Sequence, residues 1–186
     1  MMCRRRLLLR DLPLLALAAT LATACADATE APIADPDLLN LEADNIIYGM
    51  SSYLTTNGIR EGRIEADTAY MYVDSAHVDL RVMTIVFHNE DGRPRATVTG
   101  RTGEWDQDRD IMVARGDVLL VVHEDGREIR TEELHYDAYG ERIWSDSATT
   151  QTLPDGTVTR GSSFESDLGF EDLRIENVRG GARAAP

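Results

Sequence analysis

Val118-Leu119-Leu120-Val121-Val122-His123-Glu124-Asp125-Gly126 is a run of branched aliphatics that ends in a tight-turn dipeptide. Asp-Gly and Asn-Gly supply the positive φ angles that short hairpin turns need. The same grammar stands 34 residues upstream, where Met83-Thr84-Ile85-Val86-Phe87 leads to Asp91-Gly92. Asn57-Gly58 lies another 34 residues back, and Asp155-Gly156 lies 30 residues downstream of Asp125-Gly126. A chain that repeats strand, turn, strand at one interval builds a stack of similar β rungs. Helical repeat arrays share a similar period, but they need helix formers at 3.6-residue spacing. These units are instead rich in Val, Thr and Ile, with Gly100, Gly103 and Gly116 in their middles. The repeat extends past the turns: Ala66 corresponds to Gly100, Thr68 to Thr102, Asp74 to Asp108 and Glu90 to Glu124. Small residues at matched positions mark places of close approach.

Alternation of apolar and polar residues predicts strands over 45–54, 60–66, 76–88, 95–102, 110–113, 117–122, 128–136, 142–152, 157–165 and 173–178. A kink is expected near 81–83, and Arg115-Gly116 is read as a break between two short strands. No helix of ordinary length with an apolar stripe is expected, and 38–43 could make one turn. The domain organisation expected is a signal over 1–24, a flexible tether over 25–40 rich in Ala, Asp and Pro, a β domain over 41–180, and a disordered tail over 181–186. The whole stretch from Arg179 onward is expected to be loose.

The N-terminus carries the marks of an export signal. Arg4, Arg5, Arg6 and Arg10 precede a 13-residue apolar run over 12–24, which ends in Ala22-Thr23-Ala24. Cys25 follows, and Ala-Thr-Ala-Cys resembles a bacterial lipobox whose cysteine is acylated. Leu21 stands one place outside the position such a box prefers. An uncleaved anchor is the rival reading, but Arg10-Asp11 cuts the run short of the ~20 residues a spanning helix needs; plain secretion is the other. Cys3 and Cys25 are the only cysteines, so a chain processed at Cys25 has no intrachain disulfide and relies on its core.

Charge narrows the function classes. The chain has no lysine, and 19 basic against 33 acidic residues give a net charge of −14. A surface this acidic repels nucleic-acid phosphate, so no nucleic-acid partner is expected. Asp106, Asp108 and Asp110 are spaced like calcium ligands, yet Ile111 stands where such a loop needs glycine, and a solvated hairpin turn is the better reading. His77, His88, His123 and His135 lack zinc-motif spacing, although His88 and His123 precede equivalent turns. No nucleophile elbow, phosphate loop or dinucleotide fingerprint is present, and no acid pair stands out for glycoside hydrolysis. No catalytic residue, metal or cofactor is therefore expected. Trp105, Tyr136 and Trp144 read as caps of a β core, with lipid contact the sharper alternative.

Two sets of residues carry a family resemblance. Gly116-Asp117-Val118-x-Leu120, Asp125-Gly126 and Leu134-x-Tyr136-Asp137 resemble the repeat of the OstA/LptA-like β-jellyroll superfamily. Ala43-x-Asn45-Ile46-x-Tyr48 and Gly62-Arg63-Ile64-x-Ala66-Asp67-x-Ala69 resemble the opening strands of the LptC family within it. The resemblance implies an all-β fold, a twisted open jellyroll of repeated antiparallel rungs. It implies an interior groove that shelters the acyl chains of lipopolysaccharide or a similar glycolipid. It also implies transfer from the inner-membrane ABC transporter to another jellyroll protein through edge-to-edge strand pairing, on the periplasmic side of the envelope. The family commonly uses a transmembrane helix where this chain has Cys25, so membrane attachment through a lipid, with the inner membrane favoured, is the expectation here. The expected groove wall is one face of the alternating strands: Ile64, Ala66, Ile111, Val113, Val118, Leu120, Val122, Ile129, Leu134 and Tyr136. A dry core made of the same residues is the plainer alternative, and a scaffolding lipoprotein that uses its β edges for protein contacts is the rival function.

Overall fold

In the computed structural model, which describes residues 43–56 and 58–183, the alternating segments form one antiparallel sheet. The chain divides into two units at residue 41, and the described residues all fall in the second. The signal, Cys25 and the tether lie outside the described residues, as do 38–42 of the expected turn.

The first six strands are long: β1 (Asn45–Thr56), β2 (Ile59–Tyr72), β3 (His77–His88), β4 (Pro94–Asp106), β5 (Ile111–Val122) and β6 (Glu128–Asp137). They pair in sequence order as a meander. The remaining strands are short: β7 (Arg142–Ser145), β8 (Thr149–Thr152), β9 (Thr157–Gly161), β10 (Ser163–Asp167), β11 (Arg174–Glu176) and β12 (Arg179–Arg183). The sheet forks at β6. The end of β6 nearer Asp137 pairs with β7, then β10, then β11; the end nearer Glu128 pairs with β8, then β9, then β12.

The turns behave as the sequence demands. Gly58, Gly92, Gly126 and Gly156 all have φ between 70° and 82°. In three of the four turns the preceding aspartate accepts from the backbone N–H two residues on: Asp91 from Arg93 (3.0 Å), Asp125 from Arg127 (3.1 Å) and Asp155 from Thr157 (2.8 Å). The period of 34 is two strands and their turns. Ala66 pairs with Met83, which pairs with Gly100, so the matched small residues lie in one row two strands apart.

A second regularity is invisible until the strands are in register. Each of the six long strands is creased near its middle, and the creases align. Gly49, Asp67, Val82 and Arg101 fall between flanking pairs of the ladder. The line continues through Gly116-Asp117 and Glu132. It then runs into the gaps between β7 and β8, β9 and β10, and β11 and β12. Gly49, Val82, Gly116, Asp117 and Asn177 on this line have positive φ. From β1 to β4 the crease residues face one another without a shift of register, whereas the β4–β5 and β5–β6 ladders shift there; a residue that leaves the ladder moves the side-chain alternation by one. In β3 the buried positions run Val78, Leu80, then Met83, Ile85, Phe87, with a step of three at the crease. Both legs of the bent sheet thereby turn apolar side chains to one inner face. Phe87 on β3 and Tyr136 on β6, three strands apart, meet at 5.2 Å between ring centroids, so that face closes on itself.

Two expectations are corrected. The tail from Arg179 is not loose throughout: β12 pairs with β9, Ala182 opposite Val158. Arg115-Gly116 is not a break but a bulge inside β5.

Candidate functional site

Eight of the ten expected groove residues share the inner face. Ile64, Ala66, Val118, Leu120, Val122, Ile129, Leu134 and Tyr136 are all buried in one apolar cluster. Ile111 and Val113 do not share it. They alternate with buried Met112 and Ala114 and occupy the opposite, half-buried face. The cause is the crease in β5. It inserts Gly116 and Asp117 together, and two extra residues leave the alternation unchanged, so the inner positions stay Met112, Ala114, Val118, Leu120 and Val122.

The inner face is packed along its middle and ends in an aromatic cluster. Phe170, in the loop between β10 and β11, is only 2% exposed. Its ring lies 6.3 Å from that of Phe87, which in turn contacts Tyr136. The Arg95 guanidinium sits 6.0 Å over Phe170. A bulge positions Arg95: Phe87 pairs with Ala96 but His88 pairs with Pro94, leaving Arg95 as the extra residue. Burial pushes the Tyr136 phenol well above its ordinary range, with the carboxylates of Glu61 and Asp110 adding to the effect.

Beside this cluster opens a cavity of about 1160 Å³. Arg63, His88 and Arg95 line it from one side of the folded sheet, and Ala138, Leu168 and Gly169 from the other. Arg63 Nε, His88 Nδ1 and Arg95 Nε are buried there without hydrogen-bond partners. The loop on the far side is organised by Asp167. Burial raises its pKa, but hydrogen bonds from the backbone of Asp172, Gly169 and Glu171 outweigh that and hold the carboxyl below the usual range. Two of these donors lie at 2.9 Å (Asp172) and 3.1 Å (Gly169).

The outer face is polar and crossed by an ion-pair ladder at the crease. Arg115 on β5 donates to Glu133 on β6 at 2.6 Å and to Glu104 on β4 at 2.5 Å. His135 bonds Glu133 at 2.7 Å and stacks on Trp144 at 4.9 Å. Arg142 covers the Trp144 ring at 4.0 Å. Trp105 is buried near the end of β4, with its indole N–H donating to Asp110 at 3.3 Å.

Chemistry-bearing clusters are scarce. Among the described residues no group of three or more His, Cys, Asp or Glu could hold a metal. Asp106 and Asp110 are tied into the β4–β5 turn, where Asp106 accepts from the Arg109 backbone at 3.0 Å. His123, just past the end of β5, bonds the Thr97 hydroxyl at 2.8 Å, and β4 separates β5 from the strand of His88. Among the described residues no helix is long and apolar enough to cross a membrane. Among the described residues the long edge strand β1 pairs only with β2, and it presents Tyr48 and Tyr53 to solvent.

Sequence reading missed Phe87, Arg95 and Phe170 as a unit. The available signal was Phe170 itself, a large apolar residue set among Asp167, Gly169, Glu171 and Asp172.

Comparisons with known proteins agree with this architecture. No curated protein matches the chain. Among solved structures, the chain is similar to LptH from Pseudomonas aeruginosa, described as the LptA homologous periplasmic component of the conserved lipopolysaccharide transport device. The identity is 14%, the match covers 61% of this chain and 80% of that one, and the TM-score is 0.50, which speaks to the fold alone. The family described as "Lipopolysaccharide-assembly, LptC-related" matches residues 13–181. An open, creased antiparallel sheet with an apolar inner face thus meets a match over most of the sequence, and the chain belongs to the LptC-related lipopolysaccharide-assembly family.

Proposed function

We propose that this protein shelters the acyl chains of lipopolysaccharide, or a similar glycolipid, against the inner face of its creased sheet. The lipid passes from the inner-membrane ABC transporter toward a second jellyroll protein on the periplasmic side. The observation that carries this reading is the continuous apolar face formed by Ile64, Ala66, Val118, Leu120, Val122, Ile129, Leu134 and Tyr136 in a sheet that does not close into a barrel. Each acyl CH₂ removed from water contributes about 0.8 kcal/mol, and branched aliphatic walls supply that without specific contacts. Smooth walls also suit handover, because no single contact has to break. The packed middle of the face means that the two legs part to admit a chain, starting from the open end.

The edge of β1 away from β2, unpaired among the described residues, suits strand addition by the partner jellyroll, with main-chain hydrogen bonds giving affinity. Cys25 carries the lipid that holds the protein to the membrane, the inner membrane by this reading. A multiply acylated cysteine makes a durable tether where one chain would not.

Photoreactive side chains placed at Val122 and at Tyr48 test the proposal in cells. Val122, on the inner face, is expected to give lipopolysaccharide adducts, and Tyr48, on the β1 edge, protein adducts. Protein adducts from both positions, with no lipid adduct, would replace transport by a scaffolding role.

A further inference from the structure

The loop between β10 and β11 places a phenyl ring where hydrocarbon should go. Phe170 is 2% exposed, yet it belongs to no strand, and its neighbours Glu171 and Asp172 are exposed. Its φ is 63°, a left-handed conformation that large side chains rarely adopt. The Phe170 N–H bonds the Asp167 carbonyl at 3.2 Å, and the Asp167 carboxylate gathers the N–H groups of Gly169 and Asp172. The loop is thus organised around Asp167, and it reaches into the core through one side chain.

The seat of that ring is built by other elements. Phe87 comes from β3 and Arg95 from the bulge in β4, and the ring contacts run on from Phe87 to Tyr136 on β6. Without Phe170 the seat would be a slot at the end of the inner face, walled by the Phe87 ring and the Arg95 guanidinium. The cavity of about 1160 Å³ lined by Leu168 and Gly169 lies alongside, with room for a displaced benzyl group. Arg95 Nε is buried there without a partner, so the packing around the ring leaves a polar group unsatisfied. Strain at φ and an orphaned donor both oppose the seated state, and burial of the ring favours it.

We infer that the seat formed by Phe87, Tyr136 and Arg95 is a subsite for the end of a hydrocarbon chain, and that Phe170 is a built-in plug that an incoming chain displaces. The inference rests on the acyl-sheltering reading above and adds where a chain enters and what it must expel. A plug of this kind keeps the empty interior dry and makes binding and release an exchange of one apolar occupant for another.

Binding of a single-chain neutral amphiphile, decyl maltoside below its micellar concentration, tests this in the full chain by calorimetry. If Phe170 competes for the seat, Phe170→Ala binds about tenfold tighter than the wild type. Phe170→Leu, which keeps an apolar group on the loop, falls between them. Phe170→Trp gives the second readout, an indole emission that shifts to the red as ligand expels the ring into the polar cavity. Phe170→Ala binding more weakly than the wild type, or no change in affinity with no red shift, would make Phe170 part of the wall and overturn the plug while leaving the sheltering reading intact. Binding by Phe170→Ala alone would support both. Binding by none of these proteins would overturn both. Thermal melts of each variant separate loss of the fold from loss of the site.

Discussion

The two halves of the sheet solve the same bend in different ways. In β1 to β6, strands of 10 to 14 residues run on through the crease, from β1 to β4 with matched residues that leave the ladder together and in β5 with a bulge. In β7 to β12, pieces of three to five residues stop at the crease and restart beyond it. Side-chain supply explains the difference. The strands β2 to β6 each bring two or more buried apolar residues and β1 brings Met50 and Leu54, whereas Ile143 and Phe164 are the buried apolar residues of the short strands among the described residues. Where apolar packing is thin, hydroxyls take over: at the fork Thr131 and Ser145 bond each other at 2.7 Å in the buried interior, and Ser145 also accepts from the Ser147 backbone at 3.1 Å. Along the long strands the crease is instead bridged on the outside by Arg115, Glu104 and Glu133. The first half is therefore the structural frame. The second half, with weaker packing, is where a loop such as 168–173 can carry a mobile duty.

Two substitutions test that contrast. Leu120→Asp buries an unpaired carboxylate in the middle of β5, where the side chain is fully buried. The expected loss of about 4–5 kcal/mol or more is comparable with the whole stability of a small domain, so the cooperative urea transition should vanish. The same change at half-buried Ile175 on β11 is expected to cost about 1–2 kcal/mol. Equal losses at the two sites would remove the distinction between frame and periphery.

Glycine supplies a second, smaller contrast. A Cβ on Gly161 would meet the Ile175 side chain and, at 2.5 Å, the backbone oxygen of Glu176. A Cβ on Gly103 would meet the Met83 sulfur, the far part of a flexible side chain. Gly161→Ala should therefore cost about 2–3 kcal/mol and Gly103→Ala about 1 kcal/mol in chemical denaturation. The reverse order would mean that the β11 backbone shifts more readily than the Met83 side chain.

The smallest effect concerns the outer ladder. The Arg115 guanidinium is the main cause that holds the Glu133 carboxyl below its ordinary range, against a contrary push from burial and with help from His135. A carboxyl held low in the folded state stabilises above its unfolded pKa and loses that contribution as pH falls. Glu133→Gln should lower stability at pH 7 by about 0.5–1 kcal/mol, the scale of a partly exposed ion pair. The gap between variant and wild type should close as the pH drops below the ordinary glutamate value near 4.5. A gap that persists in acid would assign the effect to packing instead.

Much of this fold was legible in the sequence because its determinants are local. Asx-Gly turns fix where strands reverse, and alternation fixes which stretches are extended. The kink expected at 81–83 coincides with Val82 at φ 51°. What failed was non-local. The Gly180-Gly181 stretch carries no strand signal of its own, yet Arg179–Arg183 forms β12 because β9 offers an edge. Ile111 and Val113 look as inward as Val118, and only the count of residues inserted at the crease sends Met112 and Ala114 inward instead. The end of the core was hardest to read, because Arg63, His88, Ala138 and Leu168 come together only after the sheet has folded over.

The aligned crease has one more consequence, for how such a chain tolerates change in length. At that line β5 accommodates two residues, Gly116 and Asp117, opposite a single Glu132. It works as an expansion joint: residues gained or lost there alter how sharply one rung turns. An insertion within either leg would instead invert every side chain from that point to the next joint. Length variation should therefore gather at the hairpin tips and along this seam, with the stretches between them held to a fixed count.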